Sequence, residues 1–386
     1  MSKKIKFGMI GGGKGAFIGD VHRKAAALDS AFELVCGVFS RNEETSKSTG
    51  KELGVSPSRV YKNYKQLFEE ESKLPKNKRM DAVAIVTPNH VHFEPAALAL
   101  KHGFHVIIDK PLTFSLEEAI ELKQIVEEAG NVLALTHTYT GYPMIKEAKH
   151  YAESGKLGKL RKIYVEYPQG WLSEPIEQED HKQASWRTDP DKSGQGGSIG
   201  DIGTHAANLA EYVSGLKITH VCADVNIKVK NRRLDDDSAA LLKFENEVSG
   251  VLIATQVAAG EENDLKLRVY GDKGGIEWAH SDQNTLLYKP LDGPVQILRA
   301  GTEYLAEAAA KNTRLPAGHP EGYIEAFANI YLAFAEAVRD HKSGSLKPIK
   351  SYDFPDVNDG VRGMEFVSTM VKSNKSDTKW TRFIQG

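Results

Sequence analysis

Asp201 and His205, two side chains that can hold or transfer a proton, stand four residues apart in the segment GGSIGDIGTHAAN. If this segment begins a helix, both side chains project from one face, a turn apart, and can reach the same ligand. A histidine titrates near physiological pH without any perturbation, so His205 is a suitable general base. The alternative is an aspartate that caps a helix beside an unrelated histidine. The choice depends on which other reactive groups the chain supplies.

A lysine is the third reactive candidate. In HVIIDKPLTFS, Lys110 directly follows a strand-like apolar run, at the edge where open α/β sheets bind ligands. Pro111 restricts Lys110 to extended backbone geometry and so fixes where its side chain points. A lysine after a strand is otherwise simply solvated. The end of the preceding strand favours the functional interpretation, because TPNHVHFEPA brings four more residues to the same edge: Thr87, Pro88, Asn89 and His92.

The glycine-rich run MIGGGKGAFIGDVHR lies between the first predicted strand and the first predicted helix. It fits the pattern G-x-G-x-x-G/A, in which the first glycine turns the chain, the second admits a pyrophosphate and the third small residue lets helix and strand touch. Backbone amides at the helix N-terminus then face the phosphates. Such a run can also be only a tight turn. Its place in a strand–helix–strand pattern predicts a dinucleotide-binding loop made of Gly11, Gly13, Lys14, Gly15 and Ala16.

The second predicted strand, FELVCGVFSRN, ends in Ser40 and Arg41, where an NAD enzyme commonly carries an acidic residue for the ribose hydroxyls. No carboxylate stands there to repel a 2′-phosphate, and Arg41 could pair with one. NADP(H) is therefore favoured over NAD(H). The alternative is that Arg41 stacks on the adenine or faces water, which leaves NAD(H) usable.

The order of predicted elements indicates an α/β chain of two domains. Up to residue 138, Val/Ile-rich runs alternate with amphipathic helical patterns, which indicates a Rossmann domain with a doubly wound parallel sheet. Beyond it, closely spaced strands joined by NE or DKGG indicate antiparallel hairpins. We therefore predict an NAD(P)-binding domain at 1–138. A C-terminal α+β domain with an open, mainly antiparallel sheet follows at 139–386, its last helices able to pack back on the first domain.

The composition excludes several classes of function. The 50 basic and 52 acidic residues leave no electrostatic footprint for nucleic acid or an anionic membrane, so a small molecule is the expected partner. The N-terminal MSKKIKFGMI lacks the pattern of a secretory signal, and no apolar run is long enough to span a bilayer. Cys36 and Cys222 stand in apolar strand-like contexts, which favours a reducing cytoplasm over a disulfide. His90 and His92 form H-x-H without a carboxylate or cysteine cluster, so we expect no metal.

Together these motifs resemble the glucose-fructose oxidoreductase, inositol dehydrogenase and rhizopine catabolism (Gfo/Idh/MocA) family. The likeness covers nearly the whole chain and is carried by five segments in order: Gly11 to Ala16, Thr87 to His92, Asp109 to Pro111, Ser185 to His205 and the hairpin VYGDKGGIEW. The combination is specific, whereas any single segment is not. The resemblance implies a nicotinamide-dependent oxidoreductase that acts on a secondary alcohol of a sugar, inositol or related polyol. It also suggests a homodimer or homotetramer, for which the sheet of the second domain offers one face.

The resemblance places the family's catalytic lysine at Lys110 and its aspartate and histidine at Asp201 and His205. The cofactor-binding set then comprises the glycine loop, Ser40 and Arg41, followed by Thr87, Pro88, Asn89, His92, Asp109, Lys110, Trp186 and Arg187. Two departures stand out. Asp109 replaces the family's usual glutamate, which withdraws the carboxylate by one methylene. THTYTGYPM replaces a more familiar Asn/Arg-rich pattern, which leaves the substrate class open.

These residue types suit the oxidation of an alcohol, in which hydride leaves carbon for the nicotinamide while the hydroxyl loses its proton. His205 is the expected base, and Lys110 is expected to donate to the reacting oxygen and stabilise its negative charge. Asp201 would orient the imidazole or hold a neighbouring hydroxyl. Gly200 and Gly203 would let their helix approach the cofactor or the first domain closely.

Three residues at element junctions of the second domain could face the substrate: Tyr142, Trp171 and His319. Aromatic faces suit the C–H surface of a sugar ring, and simple packing is the alternative. Two other functions compete with a dehydrogenase. One is an NAD-dependent glycosidase that oxidises a ring carbon transiently to permit elimination. The other is a ligand-sensing regulator, against which the intact catalytic set and the lack of a basic recognition helix argue.

Overall fold

A computed structural model describes residues 3–179 and 181–383 of the chain. Within this part, the chain divides into two compact units. The first unit contains the residues up to Thr138 together with Tyr323–Val361, and the second contains Tyr139–Gly322 together with the residues from Arg362 onward. The segment Tyr323–Val361 lies within the predicted second domain, whose last helices are expected to be able to pack back on the first, and it belongs to the first unit.

The strands of the described residues are β1 Ile5–Gly11, β2 Phe32–Val38, β3 Ala82–Val86, β4 His105–Ile108, β5 Leu133–Leu135, β6 Leu160–Pro168, β7 Ile218–Asn226, β8 Asp237–Phe244, β9 Ser249–Thr255, β10 Lys266–Gly271, β11 Gly274–Ala279, β12 Thr285–Pro290, β13 Gln296–Arg299 and β14 Thr381–Arg382. The helices are α1 Phe17–Leu28, α2 Glu43–Glu52, α3 Tyr64–Lys73, α4 Phe93–Lys101, α5 Leu116–Ala129, α6 Pro143–Glu153, α7 Lys182–Arg187, α8 Pro190–Ser193, α9 Thr204–Ser214, α10 Glu307–Ala310, α11 Tyr323–Ser343 and α12 Val357–Asn374. Short 3-10 turns occur at Pro57–Arg59, Asn89–Val91, Thr138–Gly141, Ile176–Gln178, Glu245–Glu247, His280–Asp282 and Ile349–Tyr352, and a π-helical turn at Ile199–Gly203.

The first unit is built on a parallel sheet with the strand order β2-β1-β3-β4-β5. The inner strands β3 and β4 are buried along their whole length, as their continuous apolar sequences indicate. This sheet confirms the predicted doubly wound α/β architecture. Because the strands are parallel, the residues that follow their carboxyl ends share one edge of the sheet, where such folds bind ligands.

A helix from far along the chain completes the core of the first unit. In α11, Tyr331 lies edge-on to Phe32 of β2 with ring centroids 5.2 Å apart, and Phe334 stacks on the same ring. Tyr331 also lies 2.7 Å from the Nδ1 atom of His22 in α1. Since all these side chains are buried, α11 is a constituent of this core.

The second unit carries a mixed sheet with the order β13-β12-β11-β10-β6-β9-β8-β7-β14 among the residues described. The pair β6 and β9 is parallel, and the other neighbours are antiparallel, which confirms the open, mainly antiparallel sheet. Buried and exposed side chains alternate along β8. One face of the sheet therefore packs on the core, and the other is exposed in this chain.

Candidate active site

The glycine run forms the turn from β1 into α1. A Cβ atom at Gly13 would lie 2.4 Å from the carbonyl oxygen of Phe39, and one at Gly19 would lie 2.2 Å from the Cα atom of Gly12. The helix thus approaches the loop most closely at Gly19. The motif assigns this close approach to Ala16, three residues earlier. Ala16 is the N-cap of α1 and has no side-chain acceptor, so the first amides of the helix suit an anion. This cradle fits the pyrophosphate of a dinucleotide.

Two basic side chains accompany the loop. Arg23 of α1 donates to the carbonyl oxygen of Gly12 at 2.6 Å and holds the turn in place. Lys14 is exposed, with its Nζ atom 3.8 Å from Glu52, and Gly15 next to it has a positive φ of 78°. The predicted loop residues therefore lie together at the N-terminus of α1.

The end of β2 presents Arg41 to solvent. Ser40 accepts a hydrogen bond from the amide of Asn42 at 3.1 Å. The first carboxylate that follows, Glu43, begins α2 and lies 2.6 Å from the ammonium of Lys47. The strand end thus carries a cation and a hydroxyl, as its sequence indicates.

The residues after β3 and β4 are joined through His92. This buried imidazole has Nδ1 2.8 Å from the carbonyl oxygen of Pro111 and Nε2 2.8 Å from that of Thr87. Burial lowers the pKa of His92. Asn89 is also buried, whereas Thr87 and Pro88 are half-buried. His92 therefore ties together the two segments that carry the predicted cofactor and lysine positions.

Lys110 lies where β4 and β5 end side by side. Its neighbour Asp109 accepts a hydrogen bond from the Thr136 hydroxyl at 2.9 Å, and Thr136 follows β5. Burial and the charge of Lys110 lower the pKa of His137 to about 3, so this imidazole is neutral at physiological pH. The edge therefore combines a cation, a carboxylate and a neutral imidazole, of which sequence reasoning missed His137.

In the second unit, the segment that carries Asp201 and His205 is capped by a buried carboxylate. Asp235 accepts hydrogen bonds from the amides of Gly197 and Ile199 at 2.6 and 2.8 Å and from the Ser198 hydroxyl at 2.7 Å. Burial raises the pKa of Asp235 against the opposing effect of these donors. The cap fixes the start of the helical segment.

The predicted helix begins with a π-helical turn, Ile199–Gly203, which continues into α9. Asp201 lies in the π turn and His205 in the first turn of α9, so the pair spans the junction of two helix types rather than one regular α-helical turn. Such π turns are frequent at functional sites. A Cβ atom at Gly203 would lie 3.3 Å from Phe366 of the same unit, whereas one at Gly200 would meet open space. Gly203 therefore serves packing within its own unit.

Asp201 has two donors on one oxygen. The Nε atom of Arg187 lies 3.3 Å from its Oδ2 atom, and the amide nitrogen of Gln256 lies 2.9 Å from the same oxygen. The guanidinium of Arg187 lies over the ring of Trp186, 4.3 Å from its centroid. The structure thus places Trp186 and Arg187, predicted cofactor residues, beside Asp201, where the cation balances its charge.

His205 is buried, and aromatic rings pack against it. Tyr139 lies edge-on to the imidazole with centroids 5.0 Å apart, and Tyr167 is 6.4 Å away. The two tyrosine hydroxyls are hydrogen-bonded to each other. These rings limit the rotation of the imidazole. Neither tyrosine is among the site residues predicted from the sequence.

The three predicted substrate residues differ in setting. Tyr142 is buried, with its hydroxyl 3.0 Å from His280 Nε2. Trp171 is half-buried, and its indole donates to Gln169 at 3.0 Å. His319 is exposed, with Nδ1 3.2 Å from the Pro316 carbonyl oxygen. Tyr142 and Trp171 therefore lie in hydrogen-bonded interior positions, and His319 lies in a surface turn.

Within residues 3–179 and 181–383, no group of three or more His, Cys, Asp or Glu side chains could hold a metal ion. No helix of this part of the chain is long and apolar enough to cross a membrane.

A glycine loop that leads from a parallel strand into a helix, with a lysine at the edge of the same sheet, is typical of an NAD-binding oxidoreductase. Residues 5–137 match the oxidoreductase family with an NAD-binding Rossmann fold, and residues 145–277 match the GFO/IDH/MocA C-terminal domain. The chain is 32% identical to the uncharacterized oxidoreductase YfiI of Bacillus subtilis, with 99% of this chain and 98% of the relative covered.

Solved structures are similar to this chain over nearly its whole length. An inositol dehydrogenase homolog from Azotobacter vinelandii, complexed with NAD+, is 34% identical with a TM-score of 0.94 over 99% of this chain and 98% of that one. The same homolog complexed with NADH and myo-inositol is 33% identical with a TM-score of 0.92 and the same coverage. The chain therefore belongs to the Gfo/Idh/MocA family, as its motifs indicate, and is a nicotinamide-dependent dehydrogenase that acts on CH–OH groups.

Proposed function

We propose that the protein oxidises a secondary alcohol of an inositol, sugar or related polyol, with Lys110, Asp201 and His205 as its catalytic residues. The observation that carries this proposal is the capped segment of the second unit, which presents a carboxylate and an imidazole from consecutive helical turns. The similarity to an inositol dehydrogenase homolog complexed with NADH and myo-inositol supports the substrate class.

The chemistry divides among the side chains as follows. When bound, a nicotinamide would supply the hydride acceptor for the alcohol carbon. His205 takes the hydroxyl proton on its imidazole, while the ring of Tyr139 limits the rotation of that imidazole. Lys110 donates to the substrate oxygen and stabilises its negative charge. Asp201, balanced by Arg187, holds an adjacent hydroxyl or orients the imidazole.

We further propose that Arg41 allows the protein to use NADP(H). Its exposed guanidinium follows β2, and Glu43 is neutralised by Lys47, which leaves a positive potential for a 2′-phosphate. The ratio of kcat/KM for NADP+ and NAD+ measures this, and Arg41→Ala should lower kcat/KM for NADP+ by about tenfold, the effect of one charge-assisted hydrogen bond. An unchanged ratio would contradict this role.

We also propose a homodimer or homotetramer that uses the exposed face of the second unit's sheet. Leu241 on β8 is 45% exposed and pairs with the half-buried Val251 of β9, beside the pair Ala239 and Ile253 on the same face. A contiguous apolar patch on an exposed sheet face marks an interface. A second copy of the chain is the expected occupant. Light scattering on a sizing column should find a multiple of the chain mass, which Leu241→Glu reduces; a monomeric wild type contradicts the proposal.

We propose a reducing cytoplasm as the location of the protein. Both of its cysteines, Cys36 and Cys222, are free thiols, which is consistent with that compartment.

A panel of inositols, aldoses and glycosides, assayed with NAD+ and NADP+ in parallel, tests the function. A dehydrogenase accumulates reduced cofactor in proportion to the alcohol consumed, which the near-ultraviolet absorbance of reduced nicotinamide reports. Release of an aglycone without net cofactor reduction would instead identify the glycosidase that the sequence leaves open. No turnover with any inositol or sugar would contradict the proposed substrate class.

A further inference from the structure

A chain of hydrogen-bonded side chains lies behind Asp201. The Nε1 atom of Trp171 donates to Oε1 of Gln169 at 3.0 Å. The amide nitrogen of Gln256 lies 3.1 Å from that same Gln169 oxygen and 2.9 Å from Asp201 Oδ2. We name the residues Trp171, Gln169 and Gln256 the amide chain. Gln256 is 2% exposed, so these bonds compete with little water.

The orientation of each glutamine side-chain amide is determined by the groups at the two ends of the amide chain, the indole of Trp171 and the carboxylate of Asp201. An indole nitrogen can only donate, so Gln169 turns its oxygen toward Trp171. Its amide nitrogen then points at Oδ1 of Asn263, 2.6 Å away. A carboxylate can only accept, so Gln256 presents its NH2 group to Asp201. The orientation of the amide chain is therefore determined from both ends.

A branch of the same network reaches the rings that pack against His205. Asn263 Oδ1 also accepts from the hydroxyl of Tyr167 at 2.7 Å, and its amide nitrogen donates to the hydroxyl of Tyr139 at 3.1 Å. Tyr139 is the ring that lies edge-on to the imidazole. Gln169 is thus the junction from which one branch ends at Asp201 and the other at the surroundings of His205.

We propose that Gln256 is a positioning residue for Asp201 and that Gln169 and Trp171 set its orientation. The amide chain holds the carboxylate in one orientation during turnover. Trp171, a candidate substrate contact in the sequence, then acts on the reaction through Gln169 by its indole N–H. The proposal rests on the proposed dehydrogenase function for its kinetic test, and its spectroscopic test is independent of any substrate.

The kinetic test replaces the donor at position 256. Gln256→Met should lower kcat by about tenfold, the effect of one hydrogen bond to a charged group, with KM for the alcohol changed less. Gln256→Glu retains the shape and replaces the donor by an acceptor. The kcat of Gln256→Glu should be at least as low as that of Gln256→Met, which a packing role does not predict.

Gln283→Met is the matched control, since the amide of Gln283 donates to the backbone carbonyl of Glu321 in the same unit at 3.1 Å. It should retain the wild-type kcat and KM for the alcohol. The inference is overturned if Gln256→Met has the kcat of wild type, or if Gln283→Met lowers kcat equally.

The spectroscopic test follows the indole of Trp171 in the full-length protein. Among the tryptophan indole signals of the 15N–1H spectrum, the one that Trp171→Phe removes belongs to this residue. Asp201→Asn should shift that signal, and the shift should vanish in the Gln256→Met background, because the coupling passes through position 256. The inference is overturned if Asp201→Asn leaves the indole signal in place, or if it shifts the signal equally in the wild-type and Gln256→Met backgrounds. Coupled signals in a protein that oxidises no alcohol would contradict the function and leave the amide chain supported.

Discussion

Replacing Arg232 by alanine tests how the loop that follows β6 is held. The Arg232 side chain is 1% exposed; it lies 3.0 Å from Asp236, which is fully buried, and 2.9 Å from Glu177. Its guanidinium also donates to the carbonyl oxygens of Leu172 and Glu174. One side chain thus fastens the segment beside Trp171 to the residues that precede β8.

The magnitude follows from what the substitution leaves behind. Removing one partner of a buried ion pair costs about 3–5 kcal/mol, because the other charge stays buried. Asp236 retains hydrogen bonds from the amides of Lys228 and Val229 at 2.7 and 3.0 Å, which favours the lower limit. We expect Arg232→Ala to lower the free energy of unfolding of the second unit by about 3 kcal/mol. Arg233→Ala is the control: its side chain is 61% exposed and pairs with two aspartates, so the loss should be about 0–1 kcal/mol.

Urea unfolding, followed by tryptophan fluorescence at matched protein concentration, measures both variants. Arg232→Lys should give an intermediate loss, since an ammonium retains the charge but cannot donate as a planar fork. Equal unfolding midpoints for the Arg232→Ala and Arg233→Ala proteins would refute the reasoning, because the buried guanidinium would then contribute no more than a solvated one.

Three further predictions concern the catalytic groups, the loop and pH. His205→Ala and Lys110→Ala should each lower kcat by at least about 100-fold, the scale of a general acid–base contribution, while NADH titration still finds binding; wild-type turnover in either would remove the assignment. Gly19→Ala should weaken NADH binding at least about tenfold, because its Cβ atom displaces the glycine loop; calorimetry that finds wild-type affinity would show that the close approach is dispensable. Burial lowers the pKa of His22 to about 4 and of His105 to about 3, so the unfolded chain binds more protons below pH about 6.5. Between pH about 6.5 and the lowered pKa of each histidine, the free energy of unfolding of the first unit should fall by about 1.4 kcal/mol per histidine for each pH unit, and a pH-independent urea midpoint would contradict this.

The fold was predictable because its signals are local. Each strand of the parallel sheet is a short apolar run between helical patterns, and the hairpins of the second unit are marked by closely spaced turn residues. The glycine loop was visible for the same reason. The sequence allows α11 to pack on the first domain but does not decide it, since an amphipathic helix shows that it has an apolar face but not which core receives it.

The candidate site was predictable only where its residues lie in one motif. Asp201 and His205 share a segment, but the π turn between them depends on a cap from Asp235, which follows in a later loop. Gln256 and Asn263 follow β9 and precede β10, with no local pattern to mark them. They reach Asp201 and the tyrosines only through the register of the sheet, which spacing along the chain does not reveal.

The chain enters the first unit, leaves it after Thr138 and returns to it at Tyr323. A ribosome therefore delivers the nucleotide-binding sheet long before the helix that supplies Tyr331 and Phe334 to its core. Until that helix is made, the apolar surface of Phe32 and its neighbours lacks its native cover, so a fragment that stops at residue 138 should aggregate unless Tyr323–Val361 is supplied to it. Maturation of the first unit is consequently tied to synthesis through Val361, and the second unit is completed later still, because it includes the residues from Arg362 onward.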